Sequence, residues 1–328
     1  MILAGDTGGT NTRLALFEKT EQGFQSVAEE KFSSPAFGSL IEIIEKFLAG
    51  KPYIIERACF GVPGPVQGNK AKLANLPWVV DADEVKKRFG YDYIGLINDL
   101  EANAYGLDEL KDSDFAVLNA GNPNPSGNAA LISAGTGLGE AGMQFLNGRR
   151  LPFASEGGHA DFAPRSELEI DLLRYLLGKF ERVSVERVVS GMGLQSIYEF
   201  LRDTKREEVP SWLAEEIIDS KDVGATVSKH GLACKAAICE QTLHVFASLY
   251  GAEAGNLALK ILATGGVYIG GGIAPKILPK LQEPTFFNSF KSKGRMRELM
   301  ERMPVRVVLN DNAALLGAAH FAFYEIKE

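Results

Sequence analysis

The chain has 328 residues, and at roughly 150 residues per domain this length predicts two domains. Its 35 basic and 42 acidic side chains give a net charge of −7, and no apolar run approaches the roughly 20 residues that span a bilayer, so we expect neither a nucleic-acid nor a membrane partner. The three cysteines are scattered without metal-ligand spacing, which predicts a reducing, cytoplasmic setting and excludes a disulfide scaffold or a zinc finger.

The first hundred residues alternate strand and helix signals. Strands are predicted at 1–4, 12–17, 24–32, 58–62 and 93–97. The first three are joined by short turns and predict an antiparallel meander. Helices are marked by the capping patterns Ser39-x-x-Glu42 and Asp81-x-x-Glu84. This order predicts a mixed sheet with helices packed on it.

The same opening recurs after a connection at 122–127. A strand, a Gly/Thr turn and a second strand are predicted at 129–133, 135–139 and 143–146. This repetition indicates a weak internal duplication. Further on, the patterns predict helices over 166–178 and 200–260, strands at 264–272 and 305–309, and a helix at 313–324.

Glycine clusters that contain or follow threonine come after three of the predicted strands, around Gly8, Gly135 and Gly270. Glycine lets backbone N–H groups approach an anion without interference from a Cβ, so three clusters predict a nucleotide held by the main chain. Any one cluster alone is also typical of a tight hairpin. The segment 137–142 fits G-x-G-x-x-G, but a strand follows it, so a dinucleotide fold is not predicted.

Two aspartates follow buried strands and open helical patterns. Asn98-Asp99 comes after one strand and Asn310-Asp311 after another. Ligands of open α/β sheets bind at the carboxyl ends of strands, whereas the simpler role of either pair is to cap a helix. Spacing alone does not rank Asp99 above Asp311 as a catalytic base.

Hydroxyl-binding groups are concentrated in Ser155-Glu156-Gly157-Gly158-His159, and Glu186 follows further along. Carboxylates without clustered cations suit neutral hydroxyl groups. The other histidines, His230, His244 and His320, stand apart, so no zinc site is expected. Phosphate cradles together with hydroxyl acceptors predict phosphoryl transfer to a polyol.

Seven motifs occur in order over nearly the whole chain. They are Ala4–Asn11, Phe60–Val66, Asn75–Trp78, Ile97–Asp99, Gly135–Gly139, Ser155–His159 and Gly265–Ile273. Together they resemble the bacterial ATP-dependent glucokinases of the hexokinase, actin and Hsp70 superfold. The resemblance implies an α/β protein with the two-domain ribonuclease H-like (actin-like ATPase) fold, in which mixed sheets are flanked by helices and a cleft separates the domains. We expect a smaller domain of residues 1–108 plus 303–328 and a larger one of residues 109–302.

The resemblance also implies a reaction, the transfer of the γ-phosphate of ATP to the 6-hydroxyl of glucose, which gives glucose 6-phosphate and ADP as in glycolysis. It selects Asp99 as the base, and it implies that Asn98, Glu156, His159 and Glu186 bind glucose. Asp6 would orient Mg²⁺ through water. The nucleotide-binding residues would be Gly5, Asp6, Thr7, Gly8, Gly9, Thr10 and Asn11 in one loop, Gly135, Thr136 and Gly137 in the next, and Gly270, Gly271 and Gly272 beside the adenosine.

Other functions compatible with these motifs are a kinase for another hexose or an N-acetyl sugar, a non-catalytic sugar sensor, and a chaperone-like or actin-like ATPase. Thr7 stands where the family usually has an apolar residue, and no cysteine-rich zinc motif follows His159. The family resemblance implies a homodimer.

Overall fold

The computed structural model describes residues 1–73 and 76–324. Asn75 of one motif and residues 325–328 of the expected smaller domain therefore lie outside the described residues. The chain forms two compact units: the first comprises Met1–Asp114, Leu151–Ala154 and Asn310–Glu328, and the second comprises Phe115–Arg150 and Ser155–Leu309.

Strands and helices follow one another as the sequence predicts, with additional short elements. The strands are β1 (Ile2–Thr7), β2 (Asn11–Thr20), β3 (Gly23–Ser33), β4 (Arg57–Val62), β5 (Val66–Gln67), β6 (Lys70–Lys72), β7 (Val79–Asp81), β8 (Tyr93–Asn98), β9 (Phe115–Asn119), β10 (Ala129–Ala134), β11 (Leu138–Leu146), β12 (Arg149–Ser155), β13 (Gly266–Gly270) and β14 (Val305–Val308). The α-helices are α1 (Leu40–Leu48), α2 (Ala82–Phe89), α3 (Asp99–Gly106), α4 (Glu167–Leu177), α5 (Gly191–Asp203), α6 (Ser211–Asp219), α7 (Val223–Leu232), α8 (Ala237–Ile261), α9 (Leu278–Gln282), α10 (Pro284–Lys291), α11 (Arg297–Arg302) and α12 (Ala313–Tyr324).

The first unit is built on a five-stranded sheet of order β3-β2-β1-β4-β8. Strands β1, β2 and β3 form the expected antiparallel meander, and β4 and β8 continue the sheet parallel to β1. A second, three-stranded sheet of order β5-β6-β7 was not predicted. Its strands have only two or three residues, which is too short for an alternating pattern to be recognised.

Both faces of the five-stranded sheet are covered by helices. Side chains alternate along a strand, so Leu3 of β1 packs in a cluster with residues of α1, whereas Ile2 and Ala4 pack in a cluster with residues of α3 and α12. The helix α12 therefore completes the core of the unit that contains β1, although some 300 residues separate the two in sequence.

Helices α3 and α12 approach each other closely because each has a glycine at the contact. A Cβ at Gly317 of α12 would overlap the carbonyl oxygen of Ala102, and one at Gly106 of α3 would overlap the carbonyl oxygen of Ala313. Small side chains at this crossing hold the helix that begins with Asp99 firmly against the sheet.

The second unit is built on a six-stranded sheet of order β12-β11-β10-β13-β14-β9. Strand β10 is antiparallel to β11 and parallel to β13, as β1 is to β2 and β4 in the first unit. The repeated strand, glycine turn and strand predicted from the sequence thus occupy corresponding places in the two sheets. The long helix α8 is buried along most of its length beneath β10 and β13.

One expected assignment is wrong. Residues 305–309 were expected to rejoin the first domain together with the final helix, but β14 pairs with β13 and β9 in the sheet of the second unit. The chain accordingly passes between the units at 114/115 and 309/310 rather than at 108/109 and 302/303, and it also does so at each end of Leu151–Ala154. An apolar four-residue strand fits the interior of either sheet, so its pattern could not indicate which one it joins.

Candidate active site

The first predicted phosphate loop is the turn between β1 and β2. The Gly8 N–H donates to the Asn11 carbonyl oxygen at 2.9 Å. Ser34, which directly follows β3, makes two hydrogen bonds to the loop. Its N–H donates to the Thr10 carbonyl oxygen at 3.0 Å, and its hydroxyl donates to the Gly8 carbonyl oxygen at 2.7 Å. The loop from Gly5 to Asn11 is thereby fixed by backbone contacts before any ligand binds.

Thr7 is buried within this loop, and its hydroxyl has no hydrogen-bond partner among the described residues. A buried hydroxyl without a partner costs about 1–3 kcal/mol. We expect Thr7→Val to stabilise the protein by about 1 kcal/mol in urea unfolding. Thr12→Val is the matched control: its buried hydroxyl bonds the Ser34 hydroxyl at 2.9 Å, so this change should lower stability. A destabilised Thr7→Val would contradict the reasoning.

Asp6 lies near the end of β1, within this loop, and its environment suits a cation. Burial raises the pKa of the Asp6 carboxyl above its usual value, the Arg13 guanidinium opposes this, and Asp311 adds to the rise. Arg13 is also bound by Glu29, at 2.6 Å, and by the Asp311 carbonyl oxygen, at 2.8 Å, so its charge is shared. A hard cation held through water would compensate the buried carboxylate, and Asp6 therefore fits the expected role beside Mg²⁺.

Asn98 and Asp99 lie at the same edge of the sheet as Asp6. The registers pair Asp6 with Gly61, and Val62 with Asn98. Two strand spacings of about 4.8 Å place Asp6 and Asn98 roughly 10 Å apart at the carboxyl ends of parallel strands. The structure thus brings the proposed base and the proposed magnesium-orienting carboxylate to one edge.

The Asn98-Asp99 pair is positioned by a capping box at the start of α3. The Asn98 N–H donates to Glu101 at 3.0 Å, and the Leu100 N–H approaches the side-chain oxygens of both Asn98 and Asp99 at 2.9 Å. The Asn98 amide also donates to the Gly64 carbonyl oxygen at 3.3 Å. The alternative role weighed from the sequence, a helix cap, is therefore present, and it holds both side chains at the strand end.

Asp311 occupies a different setting. Its side chain is 89% exposed, and one oxygen lies 3.7 Å from Arg13. It precedes α12 in a turn in which the Asn312 N–H donates to the Asn310 side chain at 2.9 Å. Because Asp311 is exposed to solvent, whereas Asp99 is held at the end of β8, the geometry favours Asp99 as the base.

The second predicted phosphate loop, Gly135 to Gly137, joins β10 to β11. The Gly135 N–H donates to the Gly137 carbonyl oxygen at 2.9 Å, and the Gly191 N–H donates to the Gly135 carbonyl oxygen at 2.8 Å. One oxygen of Glu186 accepts from the Leu138 N–H at 3.0 Å. Glu186, expected to bind sugar, therefore also supports this loop.

Glu156 and His159 lie together on a single helical turn, 157–159, that follows β12. The His159 Nε2 is 3.9 Å from a Glu156 oxygen, and both side chains are more than half exposed. This turn packs against another single turn, 185–187, which contains Glu186. The three sugar-binding residues expected in this unit are thus on adjacent turns.

A pocket of about 980 Å³ in the second unit is lined by Gly135, Thr136 and Gly272. Gly270 and Gly271 do not line it. Gly271 has a φ of +81°, and a Cβ there would overlap the Ala134 carbonyl oxygen, so its role is to let the chain turn against β10. Of the three glycines expected beside the adenosine, Gly272 is the one at the pocket.

Two helix N-termini that were not predicted as part of the site form another part of the pocket wall. Helix α5, capped by Ser190, contributes Gly191 and Gln195, and α7, capped by Asp222, contributes Ala225. Helix N-termini favour anionic and acceptor groups. The Ser190-Gly191-Met192-Gly193 run is a further glycine cluster that could have indicated this wall.

We expect Ala225→Trp to raise the KM for ATP about tenfold or more while leaving the KM for glucose unchanged, because an indole there fills the pocket and displaces several atoms of bound nucleotide. Ala225 is exposed on the first turn of α7, so folding is not expected to suffer. Ala237→Trp, exposed at the start of α8 and away from the pocket, is the control. Equal KM values for ATP in both variants would show that nucleotide binds elsewhere.

Comparison with known proteins identifies the family. A family model described as Glucokinase matches residues 3–324. The chain belongs to the glucokinase family. A glucokinase of Nostoc punctiforme is 46% identical over 97% of this chain and 98% of the relative. A solved glucokinase from an Antarctic psychrotroph is 32% identical, with a TM-score of 0.87 and 99% of each chain covered.

A ROK-family glucokinase from Streptomyces griseus, solved with glucose and AMPPNP, is 20% identical, with a TM-score of 0.67 and 99% of each chain covered. At that identity it shows the fold alone. Membership of the glucokinase family confirms the resemblance found in the motifs, the actin-like α/β fold and the class of ATP-dependent hexose kinases. In residues 1–73 and 76–324, no helix is both long and apolar enough to span a membrane, and no three His, Cys, Asp or Glu side chains are grouped for a metal ion.

Proposed function

We propose that this chain transfers the γ-phosphate of ATP to the 6-hydroxyl of glucose, giving glucose 6-phosphate and ADP. The observation that carries the proposal is the match to the glucokinase family over residues 3–324. The geometry supports it: each glycine loop joins two antiparallel strands at corresponding places in the two sheets, and Asp99 stands at a strand end near Asp6.

In this mechanism Asp99 accepts the proton of the 6-hydroxyl as the oxygen attacks the γ-phosphorus. Asn98, Glu156, His159 and Glu186 orient the sugar through its hydroxyl groups. Backbone N–H groups of both glycine loops neutralise charge on the transferring phosphoryl group, and positioning accounts for most of the rate in such reactions. Mg²⁺, when bound near Asp6, would neutralise the phosphate oxygens. Within its own unit, each loop is fixed by hydrogen bonds, and the capping box fixes Asp99 at the start of α3.

A coupled assay for ADP release tests the proposal, with glucose, mannose, fructose and an N-acetyl sugar compared against a reaction without sugar. We expect release to depend on sugar and kcat/KM to be highest with glucose. A higher kcat/KM with another sugar would make that sugar, and not glucose, the proposed substrate. Binding without turnover would indicate a sensor, and release independent of sugar would indicate a different ATPase.

Four finer expectations stay predictions. They are the use of Mg²⁺, a role in glycolysis, a cytoplasmic location and a homodimer. Activity after treatment with a chelator tests the first, and light scattering during size-exclusion chromatography tests the dimer.

A further inference from the structure

Two acidic side chains are buried together behind the turn that carries Glu156 and His159. Glu140 of β11 is 1% exposed and Glu253 of α8 is 6% exposed. The Oε1 atom of each has no hydrogen-bond donor among the described residues. Buried carboxylate oxygens without donors are costly and call for an explanation.

Cationic groups surround Glu253 more closely than Glu140. The Oε2 of Glu253 accepts from Asn256 at 2.9 Å, and its Oε1 lies 3.7 Å from the Lys260 ammonium. Lys293 donates to the Asn256 side chain at 2.5 Å and to the Ala252 carbonyl oxygen at 2.9 Å. Glu253 is therefore the member of the pair that the surroundings keep ionised.

The two carboxyls lie close enough to hydrogen-bond each other, and such a bond requires a proton on one of them because ionised carboxylates only accept. Burial, with the negative charge of Glu253 in addition, raises the pKa of Glu140 from 4.5 to about 7. A proton on Glu140 that is donated to Glu253 accounts for both oxygens that lack a donor.

Glu140 also touches the turn itself. A Cβ at Gly157 would overlap the Oε2 of Glu140, and one at Gly158 would overlap the Leu138 carbonyl oxygen. The turn 157–159 therefore rests on β11 through two glycines, one of them in contact with the Glu140 carboxyl. Any movement of that carboxyl is transmitted to the residues on either side of Gly157.

We propose that Glu140 is a positioning residue for the sugar-binding turn, supporting it in the neutral form by sharing one proton with Glu253. The inference rests on the proposed role of Glu156 and His159 in binding glucose. Ionised Glu140 would be repelled by Glu253 and, through the turn, would displace Glu156 and His159. Glucose binding therefore weakens as the pH rises through neutrality, whereas kcat at saturating glucose is little affected.

Other charged groups lie near the pair. On α8 these are Glu253 and Lys260, and Lys293 follows α10. Burial, with Arg165 in addition, lowers the pKa of Lys293 to about 8, opposed by Glu253. Lys293 is therefore partly deprotonated by about pH 7.8, but it is present in both the parent and Glu140→Gln, so its titration cancels when the two are compared. Two further charged residues, Arg165 and Glu169, pair with each other. The remaining residues of this kind, Glu156 and His159, belong to the turn itself.

The decisive variant is Glu140→Gln, an isosteric side chain whose amide can donate to Glu253 at every pH. In the parent enzyme we expect the KM for glucose to rise about threefold or more between about pH 6 and pH 7.8, and in Glu140→Gln to change little. Because the imidazole of His159 is present in both proteins, its protonation cancels in the comparison. Glu169→Gln, which removes a buried carboxylate paired with Arg165, should retain the rise seen in the parent.

A rise in KM that persists in Glu140→Gln, or a parent KM that does not vary with pH, would overturn the proposal. A merely structural role would lower the stability of Glu140→Gln equally at both pH values. The proposed mechanism instead predicts that the variant and the parent have similar urea midpoints at about pH 5. By about pH 7.8, the urea midpoint of the parent should be lower than that of the variant. Between about pH 4.5 and pH 7, Glu140 of the native parent holds a proton that the unfolded chain has already released. The free energy of unfolding of the parent therefore decreases as the pH rises through this range.

A measurement without sugar separates failure of this inference from failure of the proposed function. Hydrogen exchange of the peptide covering residues 155–160 is compared between parent and Glu140→Gln at each pH, so that the intrinsic pH dependence of exchange cancels. We expect the ratio of parent to variant rates to rise about threefold or more above neutrality. A constant ratio would refute the coupling between Glu140 and the turn, whether or not the protein phosphorylates glucose.

Discussion

Replacing Asp99, the proposed base, with asparagine should lower kcat by about 10²- to 10⁴-fold, the usual contribution of a general base, while the KM for glucose should change little. Asparagine retains an oxygen in the place where Asp99 accepts from the Leu100 N–H, so the start of α3 is preserved. What is lost is the carboxylate that we propose takes the proton of the 6-hydroxyl.

Initial rates of ADP release at saturating ATP and varied glucose measure this effect. Asp311→Asn is the matched comparison, because Asp311 also follows a strand and precedes a helix but is 89% exposed. We expect its kcat to stay within a few-fold of the parent. Normal turnover by Asp99→Asn with a strong loss in Asp311→Asn would reverse the assignment.

Gly317→Ala should have the second-largest effect, although Gly317 lies on α12 and is not among the proposed site residues. A Cβ at this position would overlap the Ala102 carbonyl oxygen, so the two helices must separate. Overpacking of this kind costs about 1–3 kcal/mol of stability. Because α3 begins with Asp99, we also expect kcat to fall by as much as about 10²-fold, the effect of a misplacement near 1 Å.

Urea unfolding and initial rates measure the two consequences separately. Gly178→Ala is the control, since Gly178 ends α4 in right-handed helical geometry and the nearest atom to an added Cβ is 3.3 Å away. It should change stability by less than about 1 kcal/mol. A Gly317→Ala protein with full stability and full activity would show that the contact between α3 and α12 does not position Asp99.

Local patterns predicted most of the helices and strands because their signals are contained within a few residues. Ser39, Asp81 and Ser166 accept from backbone N–H groups at the starts of α1, α2 and α4, as their capping patterns indicated. The G-x-G-x-x-G segment at 137–142 leads into β11, so its interpretation as a coincidental match is confirmed.

What the sequence could not predict depends on long-range packing. The pocket wall joins Gly135 to residues of α5 and α7 that lie far along the chain. Glu140 has the sequence context of an ordinary strand residue, and only the arrival of Glu253 from α8 and of Gly157 from the next turn makes it distinctive. The joining of β14 to the second sheet likewise depends on which partners β13 offers it.

The contribution of α12 to the first unit has a consequence for biosynthesis. Arg13 and Asp311, which bond each other, are 298 positions apart, and α12 supplies much of one face of the core behind β1. At about 5–20 residues per second, a ribosome needs on the order of ten seconds or more to synthesise the intervening second unit before α12 emerges. A nascent chain therefore carries Asp6 and Asp99 in an unfinished unit throughout that interval. Completion of the sheet edge that carries Asp6 and Asp99 is postponed until the second unit has already been made.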